Sequence, residues 1–407
     1  MIRFFKSADG GQPYLAKLAG LLFTFILFFN SPVGAEPEGI SMDSRAFQHG
    51  INFVQRADDQ WLLVWSSSGN PPAGQNRKGN WTHDVYYSLI DTQKLVIRPN
   101  RLISKLEAQE PSSSAITEDG NLMITMEDGW DTKQNVAQRY AVYDAVMKPI
   151  KAYPQLVQDG GHSGHVAAVN QRFVVFYSDE WVHGGGVDNL GSGDDVLAKV
   201  YSSRGELEHT VPIAVGVANR DWWPLVAGSN DTAMLVWQRF VDDKTWSVLM
   251  MAILDPETGQ LQQKPIKIAS RVKYYTYSVA YLPRLKRFLV TGTHKNGEGF
   301  AHMYSQIGDP VASLEKLPPV MREAQIIQRH SDGKTNAVQA IEPAGIMVLS
   351  VTADNLALQE TIEGTQKWST AGTDGIFIDE NRLFLVGLSQ SGLQQQLFEI
   401  NPAGKKN

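Results

Sequence analysis

The chain has 407 residues, 43% of them hydrophobic, with 37 basic against 43 acidic side chains and a formal net charge of −6. That apolar fraction excludes a disordered chain, and the weakly acidic balance argues against a nucleic-acid partner, which would call for a basic stripe. The absence of cysteine excludes a disulfide scaffold, a thiolate zinc site and a cysteine nucleophile.

The N-terminus has the layout of an export signal. Arg3, Lys6 and Lys17 precede an apolar run from Leu18 to Phe29, and Val33-Gly34-Ala35 offers small residues for cleavage. The run is too short to span a bilayer, so residues 1–35 read as a secretory signal peptide. The mature chain from Glu36 is expected in a bacterial periplasm or outside the cell, with no transmembrane segment after cleavage.

Beyond Ala35 the chain repeats. Seven short, continuously apolar runs read as strands buried on both faces: Trp61–Ser66, Asn121–Glu127, Arg172–Ser178, Ala233–Arg239, Arg287–Thr293, Gly345–Val351 and Arg382–Leu388. Each is followed by a polar loop and a second, more alternating run, the first at Asp84–Asp91 and the last at Gln395–Pro402. Most of the apolar runs are also preceded by a short strand, such as Trp222–Ala227 or Val279–Leu282. Short strands at a period of roughly 50 residues, without a long amphipathic helix, predict an all-β fold of four-stranded antiparallel blades. We read 36–407 as one seven-bladed β-propeller domain. Its last blade ends after three strands, so Glu36–Arg45 is expected to supply the fourth strand and close the ring.

In such a blade the loops before the first strand and between the second and third strands share one rim. The loops 67–83, 128–137 and 179–194 are long and place Trp81, His83, Trp130, Asp179, Trp181 and His183 there. His49, His162, His165, Trp222, Tyr277, Arg239 and His294 fall on or beside the same rim, which collects seven of the nine histidines. Loops held by a rigid scaffold are where function concentrates. Packing roles stand beside these readings: Trp61, Trp65 and Trp237 belong to core strands, and one of Trp222 and Trp223 is expected between blades. A divalent metal on His162 and His165 with Asp179 or His183 is conceivable, but the sequence does not require one, and the cofactor stays unknown. The loop Gly184–Asp195, rich in Gly and Asp, reads as a lid rather than a calcium loop.

The segment from His162 to His183, with the following Trp222-Trp223-Pro224 and Arg239, resembles the secreted propeller polysaccharide lyases, such as those acting on ulvan. In that family a Gly-His opens a blade, a second His follows about twenty residues on, and the next blade opens at Tyr-Pro and ends its second strand in Arg. Here tryptophan replaces the tyrosine. The resemblance implies β-elimination from a uronate: a base takes the proton α to the carboxylate, a cation neutralises that carboxylate, and an acid protonates the leaving oxygen. On this chain it implies His162 as base or acid, His183 and Arg239 on the carboxylate, and Tyr277 as the partner acid. Substrate binding is assigned to His49, Trp81, His83, Trp130, Asp179, Trp181, Trp222 and His294, with the tryptophans stacking on sugar faces. A hydrolase would instead draw two carboxylates from Asp128, Asp131, Asp179 and Glu180. A non-catalytic alternative is a lectin or cell-envelope scaffold. The expected partner is an extracellular polysaccharide or glycan, and the expected state is a monomer.

Overall fold

A computed structural model describes residues 50–57, 60–67, 84–103, 110–128, 136–182, 192–216, 220–241, 244–331, 333–365, 368, 372–389 and 392–400. All lie within the compact unit Pro37–Asn407; the unit Met1–Glu36, and with it the expected signal, falls outside the described residues. So does the expected closing strand Glu36–Arg45. No helix occurs among the described residues, and none therefore is long and apolar enough to cross a membrane.

The strands form antiparallel sheets in chain order. The first joins β1 (Asn52–Ala57), β2 (Gln60–Ser67), β3 (Asp84–Asp91) and β4 (Asn100–Ile103). The second joins β5 (Glu110–Ile116), β6 (Leu122–Asp128), β7 (Ala137–Tyr143) and β8 (Pro149–Asp159). The third joins β9 (His162–Val169), β10 (Arg172–Val182), β11 (Ser192–Ser202) and β12 (Leu207–Ala214). A seven-stranded sheet follows: β13 (Asp221–Gly228), β14 (Ala233–Phe240), β15 (Ser247–Asp255), β16 (Gln260–Leu282), β17 (Arg287–His294), β18 (Gly299–Tyr304) and β19 (Pro310–Leu317). The long β16 pairs with β15 through its first half and with β17 through its second, so two four-strand groups share it. Then come β20 (Ile327–Ser331), β21 (Lys334–Ala340), β22 (Ile346–Val351) and β23 (Leu356–Ile362), and finally the three strands β24 (Thr373–Phe377), β25 (Arg382–Ser389) and β26 (Gly392–Glu399).

The second strand of each group carries the core. Phe173 and Val175 of β10 pack back onto Met123 and Val142, while Val174 and Phe176 pack forward onto Leu235 and Trp237. A strand sandwiched this way needs apolar side chains at every position, which is why these runs are continuous rather than alternating. The same double contact recurs along the chain. Leu62 and Val64 meet Leu122 and Ile124, and Val236 meets Phe288. Leu289 meets Leu349, and Val348 meets Leu385. Phe384 and Val386 of β25 pack with Leu63 and Trp65 of β2, so the last sheet lies against the first. No sheet is closed by strand pairing among the described residues.

One strand assignment is corrected. The apolar run Gly345–Val351 was expected as the second strand of its blade; it is the third, β22, and β21 (Lys334–Ala340) takes the second place. β21 escapes a hydrophobic scan because Asn336 and Gln339 lie inside it. Both are buried, and hydrogen bonds offset their burial: Asn336 Nδ2 donates to Gln359 Oε1 at 2.9 Å and Gln339 Nε2 to the Ala324 carbonyl at 2.8 Å. His330 falls in the tight β20–β21 hairpin, with Nδ1 3.1 Å from Thr335 Oγ1.

Candidate functional site

The starts of successive inner strands are kinked. Ser163, Trp223, Tyr275 and Glu323 have left-handed backbone, with φ of 54°, 56°, 61° and 57°. Non-glycine residues hold such a conformation only when their surroundings over-determine it. Here buried side chains and backbone do so: Ser163 N donates to Glu127 Oε2 at 2.9 Å, Tyr275 N to Gln238 Oε1 at 3.3 Å, and Glu323 N to the Tyr275 carbonyl at 3.0 Å. Beside Ser163, Gly164 N donates to Gln138 Oε1 at 2.8 Å, and a Cβ on Gly164 would sit 2.5 Å from that glutamine. Ladder register slips at three of these points, between Phe176 and Ser178, between Trp222 and Leu225 and between Val272 and Tyr277. Bulges of this kind re-aim side chains next to sites.

These strands line a cavity of about 350 Å³, walled by residues of β1, β5, β9, β13, the second half of β16, β20 and β24. That volume lies at the lower end of the roughly 300–1,000 Å³ typical of ligand pockets. Its wall carries convergent polar groups. Asp374 accepts Phe53 N on Oδ2 at 2.6 Å and Gly375 N on Oδ1 at 2.8 Å. Burial pushes its carboxyl up to about 7 against the pull of those two donors. Ser114 Oγ donates to Asn52 Oδ1. Ser278 is 2% exposed, and among the described residues its buried hydroxyl has no hydrogen-bond partner. Glu323 pairs with Arg322 at 2.9 Å, and that guanidinium also lies over the Tyr275 ring at 4.3 Å. His165 completes the wall, its Nδ1 3.0 Å from the Ser163 carbonyl and its ring edge-on to Trp223.

The residues expected as catalytic are not gathered at this cavity. His162 is fully buried, edge-on to Trp222 at 5.9 Å, and burial pushes its imidazole down to about 3, so the ring is neutral at pH 7. Tyr277 lines the cavity but is 1% exposed; its hydroxyl donates to the Trp223 carbonyl, and burial raises its pKa well above the ordinary value. Arg239 is engaged by Asp221 in two parallel bonds, Nε to Oδ1 and Nη2 to Oδ2, both 2.7 Å. Trp237 Nε1 also donates to Asp221 Oδ1 at 3.0 Å, so this guanidinium neutralises a buried carboxylate of the protein itself. His183 lies outside the described residues.

Among the expected binding residues, His49, Trp81, His83 and Trp130 lie outside the described residues, as does the side chain of Trp181. Trp222 is no exposed platform: it packs against Phe240 and Tyr275, and its Nε1 donates to Ser163 Oγ at 2.7 Å. Trp223 is buried as well, so both members of the pair serve packing. Asp179 is half-buried beside Lys199, with its carboxyl raised by burial. His294 stacks on Phe300, with Nε2 3.2 Å from Glu315 Oε2, and His302 flanks the same ring, 3.0 Å from Glu315 Oε1. Asp128, considered for hydrolysis, is clipped by Arg139 at 2.7 Å and by the Tyr153 hydroxyl. Among the described residues no group of three or more His, Asp or Glu is arranged to hold a metal ion. The cavity residues Asp374, Ser278 and Glu323 were not singled out in the sequence. The one local signal was Thr373-Asp374-Gly375 at the start of a short strand.

No protein-family model matches the chain, and no curated protein matches it. Solved structures do. The BP39L lectin from Burkholderia pseudomallei aligns with a TM-score of 0.57 at 13% identity, over 87% of this chain and 96% of that one. A polysaccharide lyase of the PL25 ulvan lyase family, bound to -[GlcA(1-4)Rha3S]-, aligns with a TM-score of 0.53 at 9% identity, over 89% and 94%. A chain of the mitotic checkpoint complex aligns with a TM-score of 0.51 at 11% identity, over 98% and 99%. At these identities the likeness concerns the fold: all-β, built of four-stranded antiparallel sheets, with β-propellers as neighbours, and with a partial resemblance to the ulvan lyases among them.

Proposed function

We propose that this chain is an exported β-propeller of seven blades that binds a glycan at its central cavity. The observation that carries this reading is the cavity itself: its wall gathers the Asp374 carboxyl, the Ser114 hydroxyl and the side-chain amides of Asn52, Gln325 and Gln328, groups suited to sugar hydroxyls. Likeness in fold to a lectin and to an ulvan lyase supports a carbohydrate ligand, and fold likeness alone would not carry it. Seven clusters of packing residues support the blade count. In this reading residues 1–35 direct export, Glu36–Arg45 completes the last blade, and the protein acts as a monomer.

A second reading, favoured by the likeness to the ulvan lyase, is β-elimination from a uronate polymer. The two are separated by one pair of measurements. Purified protein is applied to a glycan array and, in parallel, incubated with uronate polysaccharides while the ultraviolet absorbance of unsaturated product is followed. Array binding without product supports the binding module. Product formation abolished by His162→Ala, in a variant that keeps the wild-type melting temperature, would establish the lyase. Neither signal would remove carbohydrate from the account.

A further inference from the structure

A titratable cluster lies apart from the cavity, where β16 passes from pairing with β15 to pairing with β17. His294 ends β17 and His302 belongs to β18. The cross-strand pairs Val290–His302 and Gly292–Phe300 put both histidines on the face that carries Phe300. Gly292 leaves room for that ring, since a Cβ there would fall 2.5 Å from it. The two imidazoles flank the ring with centroid separations of 4.7 and 4.8 Å. A bulge in β19 supplies the acid. Gly299 pairs with Leu317 but Ala301 with Leu314, and Lys316 between them takes a left-handed φ of 60°. The extra residue turns Glu315 onto both histidines, Oε2 3.2 Å from His294 Nε2 and Oε1 3.0 Å from His302 Nε2.

The partners of His294 fix its proton count. Its Nδ1 lies 3.1 Å from the Ser270 carbonyl of β16. A carbonyl and a carboxylate only accept hydrogen bonds, so both ring nitrogens meet acceptors. A neutral imidazole has one N–H and must turn a lone pair toward one of them. Imidazolium donates to both, and its charge then stands 4.7 Å from the Phe300 centroid, within cation–π range. His302 differs, because a neutral ring serves its single bond to Glu315 equally well. The other charged side chains on the surrounding segments are Lys267, Arg271 and Lys273 of β16, Lys295 and Glu298 of the hairpin turn, and Lys316 of β19. Lys273 pairs with Glu342, and among the described residues the ion pairs of Glu315 go to the two histidines.

We propose that His294 is a proton-operated clip. As imidazolium it ties the Ser270 carbonyl of β16 to Glu315 of β19 through the end of β17. Loss of the proton breaks one of these two bonds, and either the β16 kink or the edge strand β19 loosens. Because two four-strand groups share β16, the clip locks the passage from one to the next.

The test is amide hydrogen exchange read by mass spectrometry on the full mature chain between pH 5 and 8, the range over which histidine changes charge. Rates are divided by those of unfolded reference peptides at each pH. Protection over 269–275 or 310–317 is expected to fall by roughly tenfold or more as pH rises, the worth of one hydrogen bond to a charged group. Protection over β14, which carries no histidine, is expected to stay level. In Glu315→Gln the side-chain amide can donate to a neutral Nε2, so both segments should stay protected at pH 8. His294→Gln has no proton to lose there and should show a flat profile. Level protection of both segments in the wild-type chain would overturn the proposal. So would the wild-type pH response in His294→Gln, or loosening of Glu315→Gln at pH 8.

Discussion

The Asp374 carboxylate, on the first strand of the last sheet, accepts the backbone N–H of Phe53 on the first strand of the first sheet, 2.6 Å away across 321 positions of chain. Phe53 also meets Phe384 edge-on at 6.5 Å, and Ile51, Leu63 and Trp65 pack with Ile376 and Val386 around the same seam. The two ends of the described chain are therefore joined by this polar bond over an apolar interface. Asp374 is part of this seam and of the cavity wall at once.

This dual position gives a pH signature. Burial raises the Asp374 carboxyl from 3.8 to about 7 in the folded protein. The folded state then holds a proton that the unfolded chain releases above its ordinary carboxylate pKa. The stabilisation is complete below about pH 4 and lost as pH rises through about 7. Urea midpoints between pH 4 and 7 should fall by an amount worth on the order of 2–4 kcal/mol in wild type relative to Asp374→Asn, which has no proton to lose. Parallel profiles for the two proteins would show that the carboxyl titrates normally.

His162 supplies the opposite slope. Its imidazole is pushed from 6.5 down to about 3 by burial. Its contribution is present above about pH 6.5 and is lost as pH falls toward 3, because the unfolded chain takes up a proton that the folded ring refuses. Relative to His162→Leu, wild type should lose about 2 kcal/mol between pH 7 and pH 5. A flat difference curve would place the ring in water, where it could serve as a base.

Arg239 is expected to behave as a structural residue. Asp221 has no exposed side-chain surface and is held by Arg239 and Trp237. Arg239→Ala would leave that carboxylate buried without its cation and should cost about 3–5 kcal/mol in chemical denaturation. If the guanidinium is instead reserved for a ligand carboxylate, the variant will lose binding with stability nearly unchanged.

Tyr277→Phe tests the remaining candidate. The hydroxyl donates to the Trp223 carbonyl in the core, so its removal should cost about 1–3 kcal/mol by leaving a buried acceptor unpaired. Glycan affinity measured on the folded variant should stay within about threefold of wild type. A complete functional loss at wild-type stability would restore Tyr277 as an acid.

Close approach of neighbouring sheets makes a fifth prediction. A Cβ on Gly228 would fall 1.9 Å from the Ala168 carbonyl oxygen, so β13 and β9 touch backbone to side-chain position there. Gly228→Ala should destabilise by at least ~2 kcal/mol, read as a fall in melting temperature, because backbone cannot move aside without disturbing both sheets.

Much of the fold was written in the chain itself. Continuous apolar runs at Ala233–Arg239 and Arg287–Thr293 coincide with β14 and β17, because a strand covered on both faces must be apolar throughout. The same rule failed at β21, where Asn336 and Gln339 satisfy their amides inside the sheet stack and so look polar without being exposed. The sequence reading set His162, Trp222 and Arg239 at or next to strand ends, where β9, β13 and β14 have them, but Tyr277, expected on a loop, lies inside the unbroken β16. It could not place their side chains. Ser163, Trp223, Tyr275 and Glu323 take left-handed backbone that no local pattern announces, and contacts from neighbouring sheets hold them there. Those contacts bury the histidine and both tryptophans, and they bring Asp374, Ser278 and Asn52 together at the cavity from sites hundreds of residues apart. Hydrophobic periodicity is a local property and survives in one dimension. Burial of a polar group, and hence its charge and its chemistry, depends on which distant strands surround it, and only the packed tertiary structure decides that.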